Sequence, residues 1–146
     1  MLSNYPKDYH VEIRMEVFEC VSFILLKGKQ VLLEHRSKLK ETDPGMIAIP
    51  GGHLEAGETQ QQALLRELKE ELNVTPRNAK YLCSLYHPTI ELQLLHYYVI
   101  TEWEGVIVPL EADAVDWFEI DNAPVATEAD QIALAEISRV NQFLVD

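Results

Sequence analysis

The sequence is poor in cysteine. Only two of the 146 residues are cysteines, Cys20 and Cys83, and they lie far apart in apolar segments typical of β-strands. This scarcity argues against a disulfide-stabilised scaffold and against a cysteine-based metal site. We therefore predict that each is a buried free thiol.

Positive charge is scarce as well. The chain has 12 lysines and arginines against 24 aspartates and glutamates, which gives a formal net charge of −12. A nucleic-acid-binding surface would need a basic stripe, so we predict no nucleic-acid partner. A polyphosphate substrate would be repelled unless cations lay between it and the protein. Any hydrolysis of phosphates should therefore require Mg²⁺ or Mn²⁺.

Long hydrophobic runs are missing. No apolar stretch approaches the ~20 residues of a membrane-spanning helix. The N-terminus also lacks a basic region followed by an apolar run and a cleavage site. We expect a cytoplasmic protein with no membrane partner. Hydrophobic residues nevertheless make up 47% of the chain, which is enough for a single globular domain over residues 1–146. A homodimer is compatible with the sequence, which does not specify the oligomeric state.

An acidic helix that follows a glycine-rich turn is the most informative feature of the chain. Gly51 and Gly52 lack a Cβ, so their backbone can approach a metal or a phosphate closely. The helix should begin after Thr59, which forms a capping-box pattern with Gln62. Since a helix turns by about 100° per residue, three glutamates share an arc of roughly 100°, namely Glu67, Glu70 and Glu71.

This acidic arc has two explanations. Runs of charge on a helix are commonly solvated faces. However, Arg66 and Lys69 lie off the arc, and like charges three or four residues apart destabilise an isolated helix. The spacing therefore favours a site for a hard cation such as Mg²⁺, which prefers oxygen ligands.

The same stretch resembles the Nudix box, G-x5-E-x7-R-E-U-x-E-E-x-G-U, in which U is a bulky aliphatic residue. One position departs from it, because Asn73 replaces the last glycine. Asparagine is the next-best residue for a left-handed helix C-cap, so we expect the turn to be kept. The matching residues are Gly52, Glu58, Arg66, Glu67, Leu68, Glu70, Glu71 and Val74.

The resemblance implies a metal-dependent hydrolase. Its ligands would be Glu67, Glu70 and Glu71, joined by the backbone carbonyl of Gly51 or its neighbour. The ion would be Mg²⁺, with Mn²⁺ as a substitute, and its role would be to neutralise a diphosphate and acidify a bound water. Glu70 and Glu71 would face metal and solvent, so their substitution should spare the fold. The general base is left open among Glu67, Glu70 and Glu111.

Three further motif residues have expected roles. We predict that Arg66 and Glu58 form an ion pair that fixes the helix against its loop, which is a structural role. Arg66 is nevertheless kept among the candidate catalytic residues. Gly57, which precedes the helix, should allow a sharp approach of the chain.

A fourth carboxylate is expected from outside the box. The segment Trp103-Glu104-Gly105, followed by Glu111 and then Trp117, is similar to that of mutator-type members of the family. Through this resemblance Glu111 becomes a candidate for catalysis and metal binding, and an exposed loop glutamate is the alternative. Glu102 and Glu104 are weaker candidates.

The resemblance also implies a class of substrate. The short single-domain chain and its Trp-Glu-Gly segment are most similar to nucleoside triphosphate pyrophosphohydrolases. These enzymes release a monophosphate and pyrophosphate. Thr127 stands where oxidised-guanine enzymes have an asparagine that reads the base, and its one hydroxyl cannot make the paired contacts of an amide. Arg36 could contact the base or simply lie in solvent at a strand end. The substrate-binding candidates are Arg36, Gly51, Gly52 and Thr127.

Other functions remain open. ADP-ribose or another nucleoside-diphosphate derivative is the alternative substrate, since Pro88 lies near a proline that some ADP-ribose-cleaving members carry. A nucleotide sensor without catalysis is a further alternative, although every acidic position of the box is intact. Tyr86 and His87 could stack on a base or fill the core, whereas Tyr97 is predicted to be a core residue.

The remaining pattern predicts the fold. Strict alternation predicts a half-exposed strand over residues 11–17, and residues 37–45 read as a loop. Thr127 and Asp130 could cap a last helix that ends near Leu144. The order of elements predicts an α/β protein, and the resemblance implies an α/β/α sandwich with a mixed, partly antiparallel sheet and a loop-helix-loop at its edge. Further strands are predicted over residues 21–26 and 31–35, which form a hairpin, and over residues 81–86, 92–101 and 115–120.

Overall fold

The computed structural model describes residues 16–144. Two helices lie on opposite faces of a central sheet, so the predicted α/β/α sandwich is confirmed. The strands are β1 (Val17–Lys27), β2 (Gln30–His35), β3 (Ile47–Ala48), β4 (Gly51–His53), β5 (Thr75–Pro76), β6 (Lys80–Pro88), β7 (Leu92–Ile100), β8 (Trp103–Glu104) and β9 (Ala114–Glu119). The helices are α1 (Gln60–Leu72) and α2 (Glu128–Leu144), and a 3₁₀ turn lies at Ile120–Asn122.

Most predicted elements occur close to their predicted bounds. The strand expected at residues 11–17 lies outside the described residues except for its end, where Val17 begins β1. Ile120 belongs to the 3₁₀ turn and does not end β9 as predicted. Four short strands, β3, β4, β5 and β8, were not predicted, because two or three residues carry no detectable periodicity.

The sheet is mixed, as predicted. β1 and β7 run parallel from the pair Val17–Leu92 to the pair Leu25–Ile100. β6 pairs with β7, and β2 with β9 and β3, all in antiparallel fashion. Since β1 and β7 are covered on both faces, their central residues form nearly continuous apolar runs.

Each face of the sheet packs against one helix. Successive strand residues point to opposite faces, so neighbours in sequence enter different cores. The core under α1 includes Val21, Phe23, Leu25, Tyr98, Leu64 and Leu68. The core under α2 includes Cys20, Ile24, Leu95, Tyr97, Ala133 and Ile137. The prediction that Tyr97 is a core residue is confirmed, because its side chain is fully buried.

β1 changes its partner along its length. It pairs with β2 only at Leu26 and Lys27, and with β4 over Cys20, Val21 and Ser22. β2 and β4 therefore use β1 at different levels of the sheet. The paired residues of β1 and β4 line the cavity described below.

Both ends of α1 follow the sequence. Gln62 N–H donates to Thr59 Oγ1 at 3.1 Å, and Thr59 N–H donates to Gln62 Oε1 at 2.9 Å, which confirms the capping box. At the other end Asn73 adopts the left-handed conformation, with φ of 63°. The turn expected from the motif glycine is thus kept by asparagine.

The carbonyls in the last turn of α1 accept hydrogen bonds from a segment that is distant in sequence. A helix leaves its final carbonyls without intrahelical donors. Leu110 N–H donates to the carbonyl of Glu71 at 3.0 Å, and Val108 N–H donates to that of Leu72 at 3.0 Å. These two bonds fix the chain that carries Glu111 against the end of the acidic helix.

Candidate active site

A cavity of about 510 Å³ lies beside α1 and extends over the α2 face of the sheet. It has two chemically different ends. We call the first the acidic end, formed by Gly51, Gly52, Glu67, Glu70, Glu71 and Glu111. We call the second the sheet end, formed by Cys20, Arg36, Gln93, Leu95 and Thr127. The structure thus brings the sequence-predicted catalytic and substrate-binding candidates to one cavity.

The carboxylates of the acidic end differ in exposure. Glu67 and Glu71 are buried, with 8% and 6% of their surface exposed, whereas the Glu70 side chain is 49% exposed. The expectation that Glu71 faces solvent is therefore wrong, because the segment that carries Glu111 covers it. Burial raises the pKa of Glu67, although the hydrogen bond from Arg66 opposes this effect.

Gly52 is required by close packing against Glu67. A Cβ built on Gly52 would lie 2.3 Å from the carboxyl carbon of Glu67, far inside van der Waals contact. A Cβ on Gly51 would lie 2.2 Å from the carbonyl oxygen of Val21 on β1. The glycine pair therefore lets β4 lie against β1 on one side and the Glu67 carboxylate on the other.

Arg66 links the loop and the acidic helix. Its Nε and Nη2 donate to the two carboxylate oxygens of Glu58 at 2.7 and 2.8 Å, so the predicted ion pair is present. Arg66 Nη1 also donates to Glu67 Oε1 at 2.8 Å and to Glu70 Oε2 at 3.1 Å. Although Arg66 lies off the acidic arc by its position on the helix, its long side chain reaches two of the three glutamates.

Pairing shifts the pKa values of both Glu58 and Arg66. The hydrogen bonds from Arg66 and from the Glu55 N–H lower the pKa of Glu58 to about 2. The same pair raises the pKa of Arg66. Arg66 Nη2 also donates to the carbonyl of His53 at 2.9 Å, which fastens the end of β4 to α1. This geometry matches the structural role predicted for the pair.

Glu111 faces Glu71 across the cavity. The two carboxyls share a hydrogen bond, and Lys40 Nζ lies 3.3 Å from Glu111 Oε2. Burial and that shared bond raise the pKa of Glu71 to about 8, and the bond lowers the pKa of Glu111. Glu111 is an exposed loop glutamate, as the alternative has it, and it also lines the cavity.

The donor set of the acidic end fits a hard cation. It consists only of carboxylate and carbonyl oxygens, which are the ligands of Mg²⁺, and Gly52 leaves room where a Cβ would intrude. Within residues 16–144, no three acidic, histidine or cysteine side chains converge as a preformed metal cluster. Glu67 and Glu70 are turned to Arg66, and Glu71 to Glu111.

Arg36 lies in the cavity wall but is occupied by the protein. Its guanidinium donates to the carbonyls of Thr42 and Asp43 and to Glu34 Oε1 at 3.1 Å. The side chain is only 15% exposed, so the alternative of a strand-end arginine in solvent is wrong. Arg36 holds the loop over residues 37–45 beside the cavity.

Thr127 caps α2 and lines the cavity. Its Oγ1 accepts a hydrogen bond from Asp130 N–H at 3.3 Å, as the sequence predicted. Asp130 itself accepts bonds from Ile49 N–H at 3.0 Å and from the Tyr97 hydroxyl at 2.7 Å. Burial raises the pKa of Asp130.

Several cavity residues were not predicted as site residues, among them Lys40, Asp43 and Gln93. Lys40 pairs with Glu111, and Asp43 pairs with His87 at 2.7 Å. Gln93 lies buried on β7. The sequence pattern could have identified Gln93, since it is a polar residue between leucines in an apolar strand. No such pattern marks Lys40 and Asp43, because only folding brings the loop to its partners.

The other candidates lie elsewhere. Glu104 pairs with Arg77 at the surface at 3.1 Å, and Glu102 borders a second cavity beside Trp103. Tyr86 is exposed at 61%, so it does not fill the core. Pro88 ends β6 opposite Leu92. Both cysteines are free thiols, Cys20 buried and Cys83 partly buried.

Comparison with known proteins identifies the family. The NUDIX domain model matches residues 18–138. The chain belongs to the Nudix family. It is a Nudix hydrolase with the α/β Nudix fold, and enzymes of this family are generally metal-dependent.

Two named relatives each align with about two thirds of the chain. The 8-oxo-dGTP diphosphatase of Escherichia coli strain K12 is 29% identical over 97 residues, which are 64% of this chain and 75% of that protein. The NAD-capped RNA hydrolase NudC of Pseudomonas aeruginosa strain LESB58 is 32% identical over 104 residues, or 69% of this chain. The match covers 36% of NudC, so this Nudix hydrolase corresponds to about a third of that relative.

A solved structure shows the same fold. The crystal structure of a MutT NUDIX hydrolase from Burkholderia pseudomallei superposes with a TM-score of 0.77 at 25% identity. The match covers 84% of this chain and 98% of that one. Within the described residues, no helix is long and apolar enough to cross a membrane.

Proposed function

We propose that this Nudix hydrolase cleaves ribo- or deoxyribonucleoside triphosphates to a nucleoside monophosphate and pyrophosphate, with Mg²⁺ as its ion and Mn²⁺ as a substitute. The observation that carries the proposal is the two-ended cavity. Its acidic end suits cation-bridged phosphates, and its sheet end offers the apolar surface of Cys20 and Leu95 to a base. Its volume of about 510 Å³ lies in the ordinary range for small-molecule sites.

Glu67, Glu70, Glu71, Glu111 and the carbonyl of Gly51 would hold the ion. When bound there, Mg²⁺ would neutralise the phosphate charge and acidify the attacking water. A net charge of −12 repels a polyphosphate, so the reaction should depend on the cation absolutely. Turnover in the presence of excess chelator would contradict this dependence.

The side chains of the acidic end hold one another in position, and one of its carboxylates would accept a proton. Arg66 ties Glu58, Glu67 and Glu70 together, so it fixes the carboxylates relative to the loop. A carboxylate must accept the proton of the attacking water. Glu70 and Glu111, whose side chains are 49% and 44% exposed, can be reached by solvent and are our candidates for this general base.

Two of the compared proteins bear on the substrate. The E. coli relative is named for 8-oxo-dGTP, which supports a triphosphate. The Pseudomonas relative is named for NAD-capped RNA, which supports a second candidate, hydrolysis of a nucleoside diphosphate linked to another group.

A substrate panel decides between these candidates. The purified protein with Mg²⁺ is incubated with common and oxidised (d)NTPs, ADP-ribose, NAD and diadenosine polyphosphates, and the products are separated by ion-exchange chromatography. Pyrophosphate and a monophosphate from (d)NTPs are the expected products. Cleavage of ADP-ribose or NAD alone would favour the second candidate. Nucleotide binding without any product would instead indicate a sensor.

A further inference from the structure

Gln93 is a largely buried polar residue of the cavity wall. Only 6% of its surface is exposed, and its carboxamide lines the cavity. Within residues 16–144, this carboxamide makes no hydrogen bond to any protein group. A carboxamide has two N–H donors and an oxygen acceptor, so the protein leaves a full set of hydrogen bonds unused.

Two polar neighbours of Gln93, in contrast, are hydrogen-bonded within the protein. His87, its cross-strand partner on β6, is bonded to Asp43 at 2.7 Å. Asp130 is bonded to Ile49 and Tyr97 at 3.0 and 2.7 Å. Buried polar groups in folded proteins almost always have partners. Within the described residues no buried side-chain nitrogen or oxygen lacks a partner, so the unbonded carboxamide of Gln93 must be open to the cavity, where a ligand can bond to it.

The surroundings of Gln93 suit a flat ring. Alternation along β7 puts Leu95 on the same face as Gln93, and Cys20 lies beside Leu95 on β1. Both side chains line the cavity. A planar group could therefore lie against apolar atoms with one polar edge turned to the amide.

We propose that Gln93 sets the base preference of this hydrolase, by pairing its carboxamide with a nucleobase edge that presents a donor next to an acceptor. Adenine offers such an edge at N6 and N7, to which glutamine can bond in bidentate fashion. An edge with two acceptors, such as guanine N7 and O6, can use only the amide N–H. This inference rests on the proposed function, because it requires a nucleotide in the cavity.

Substitution of Gln93 by leucine tests the inference. Leucine keeps approximately the size and removes both hydrogen-bonding functions. The ratio of kcat/KM between the best and the worst dNTP should fall by about 10- to 100-fold, the usual range for one lost buried hydrogen-bonding site. The loss should appear in KM with kcat nearly unchanged, since the contact is remote from the phosphates.

Two further variants make the result specific. Gln93→Glu keeps the shape but loses the N–H donors, so the order of base preference should change and not merely weaken. Gln142→Leu places the same substitution on an exposed position of α2 and should leave all constants unchanged. Thermal melting provides an independent readout, because the amide makes no hydrogen bond within the protein and Gln93→Leu should therefore melt close to the wild type.

The outcomes separate the inference from the proposed function. A wild type that neither binds nor cleaves any nucleotide overturns both. A wild type that cleaves dNTPs without base preference overturns the inference alone. The same holds if the preference is retained in Gln93→Leu, or if Gln93→Leu lowers kcat equally for every base.

Discussion

The two ends of the cavity are built on opposite principles. At the acidic end the charged groups are crowded and engaged, with Arg66 bonded to Glu58, Glu67 and Glu70. At the sheet end the apolar side chains of Cys20 and Leu95 adjoin Gln93, which is left without a protein partner. The first end holds its own geometry before any ligand binds. The second leaves its specific contact to be completed by the ligand.

This difference separates catalysis from recognition along the chain. The acidic end comes mainly from one continuous stretch, residues 51–71, in which the helix sets the spacing. The sheet end is assembled from β1, β7, the end of β2 and the start of α2. A change at the acidic end should therefore affect turnover of every substrate, whereas a change at the sheet end should alter which substrate is preferred.

The largest expected effect comes from neutralising the acidic end. Glu70→Gln or Glu71→Gln should lower kcat at least about 100-fold, since even outer partners of metal ligands cost about 10- to 100-fold. Glu71→Gln should also be as stable as the wild type or more so, because it removes one of two apposed carboxyls from a buried position. Steady-state kinetics and thermal melting measure the two effects.

Glu102→Gln is the matched control, since Glu102 lies outside this cavity. Its kinetics should equal those of the wild type. If Glu71→Gln melts at a much lower temperature but keeps its specific activity, the glutamate has a structural and not a catalytic role.

The second prediction separates two glycines that precede α1, Gly52 in β4 and Gly57 in the following turn. Gly52→Ala would force a Cβ to within 2.3 Å of the Glu67 carboxyl. The carboxylate must move, and we expect a loss of about 10- to 100-fold in kcat, similar to other losses of site support. Gly57→Ala meets no atom within 4 Å but has φ of +79°, so it should cost about 1–2 kcal/mol of stability and little activity.

The pair of variants is decisive when both are measured by kinetics and urea unfolding. Equal losses of activity in Gly52→Ala and Gly57→Ala would show that loop strain, and not contact with Glu67, governs the acidic end.

The third prediction concerns the core behind the sheet end. Tyr97→Phe removes the hydroxyl that donates to buried Asp130 at 2.7 Å. Leaving that acceptor short of a donor should cost about 1–3 kcal/mol of unfolding free energy, with a small effect on kcat. Tyr98→Phe is the control, because its hydroxyl bonds Gln60, which is partly exposed and can turn to water. Denaturant unfolding should show the larger loss in Tyr97→Phe, and equal losses would count against the role of Asp130.

The smallest effect should depend on pH. Folding lowers the pKa of Glu58 to about 2, below the ordinary value of about 4.3. The stabilisation by Glu58 is therefore complete above that ordinary value and is lost as the pH falls through about 2. Glu58→Gln should melt below the wild type at pH 7, and the difference should shrink towards pH 3.

A surface ion pair serves as the comparison for this pH effect. Glu104 and Arg77 are both more than 60% exposed, so Glu104→Gln should change the melting temperature little at either pH. If the Glu58→Gln difference is the same at pH 7 and pH 3, the loss is one of shape and not of charge.

The sequence predicted most of the acidic end because its geometry is local. Helical periodicity places Glu67, Glu70 and Glu71, and the capping box and Asn73 set the ends of α1. Side chains separated by three or four residues on a helix are neighbours whatever the rest of the fold does. The predictions failed where the length of a side chain or packing by a distant segment decided the outcome. The examples are the bonds of Arg66 to the acidic arc and the burial of Glu71.

By itself the sequence determined the family, the acidic helix with its caps, and the alternation that makes a mixed sheet between helices, since each of these is set by near neighbours in the chain. Only the tertiary structure decided that Glu111 meets Glu71, that Arg36 is occupied by the loop, and that Gln93 lies unpaired in the cavity. These contacts join segments far apart in sequence. Their geometry depends on strand register and on the free carbonyls at the end of α1, which no local pattern encodes.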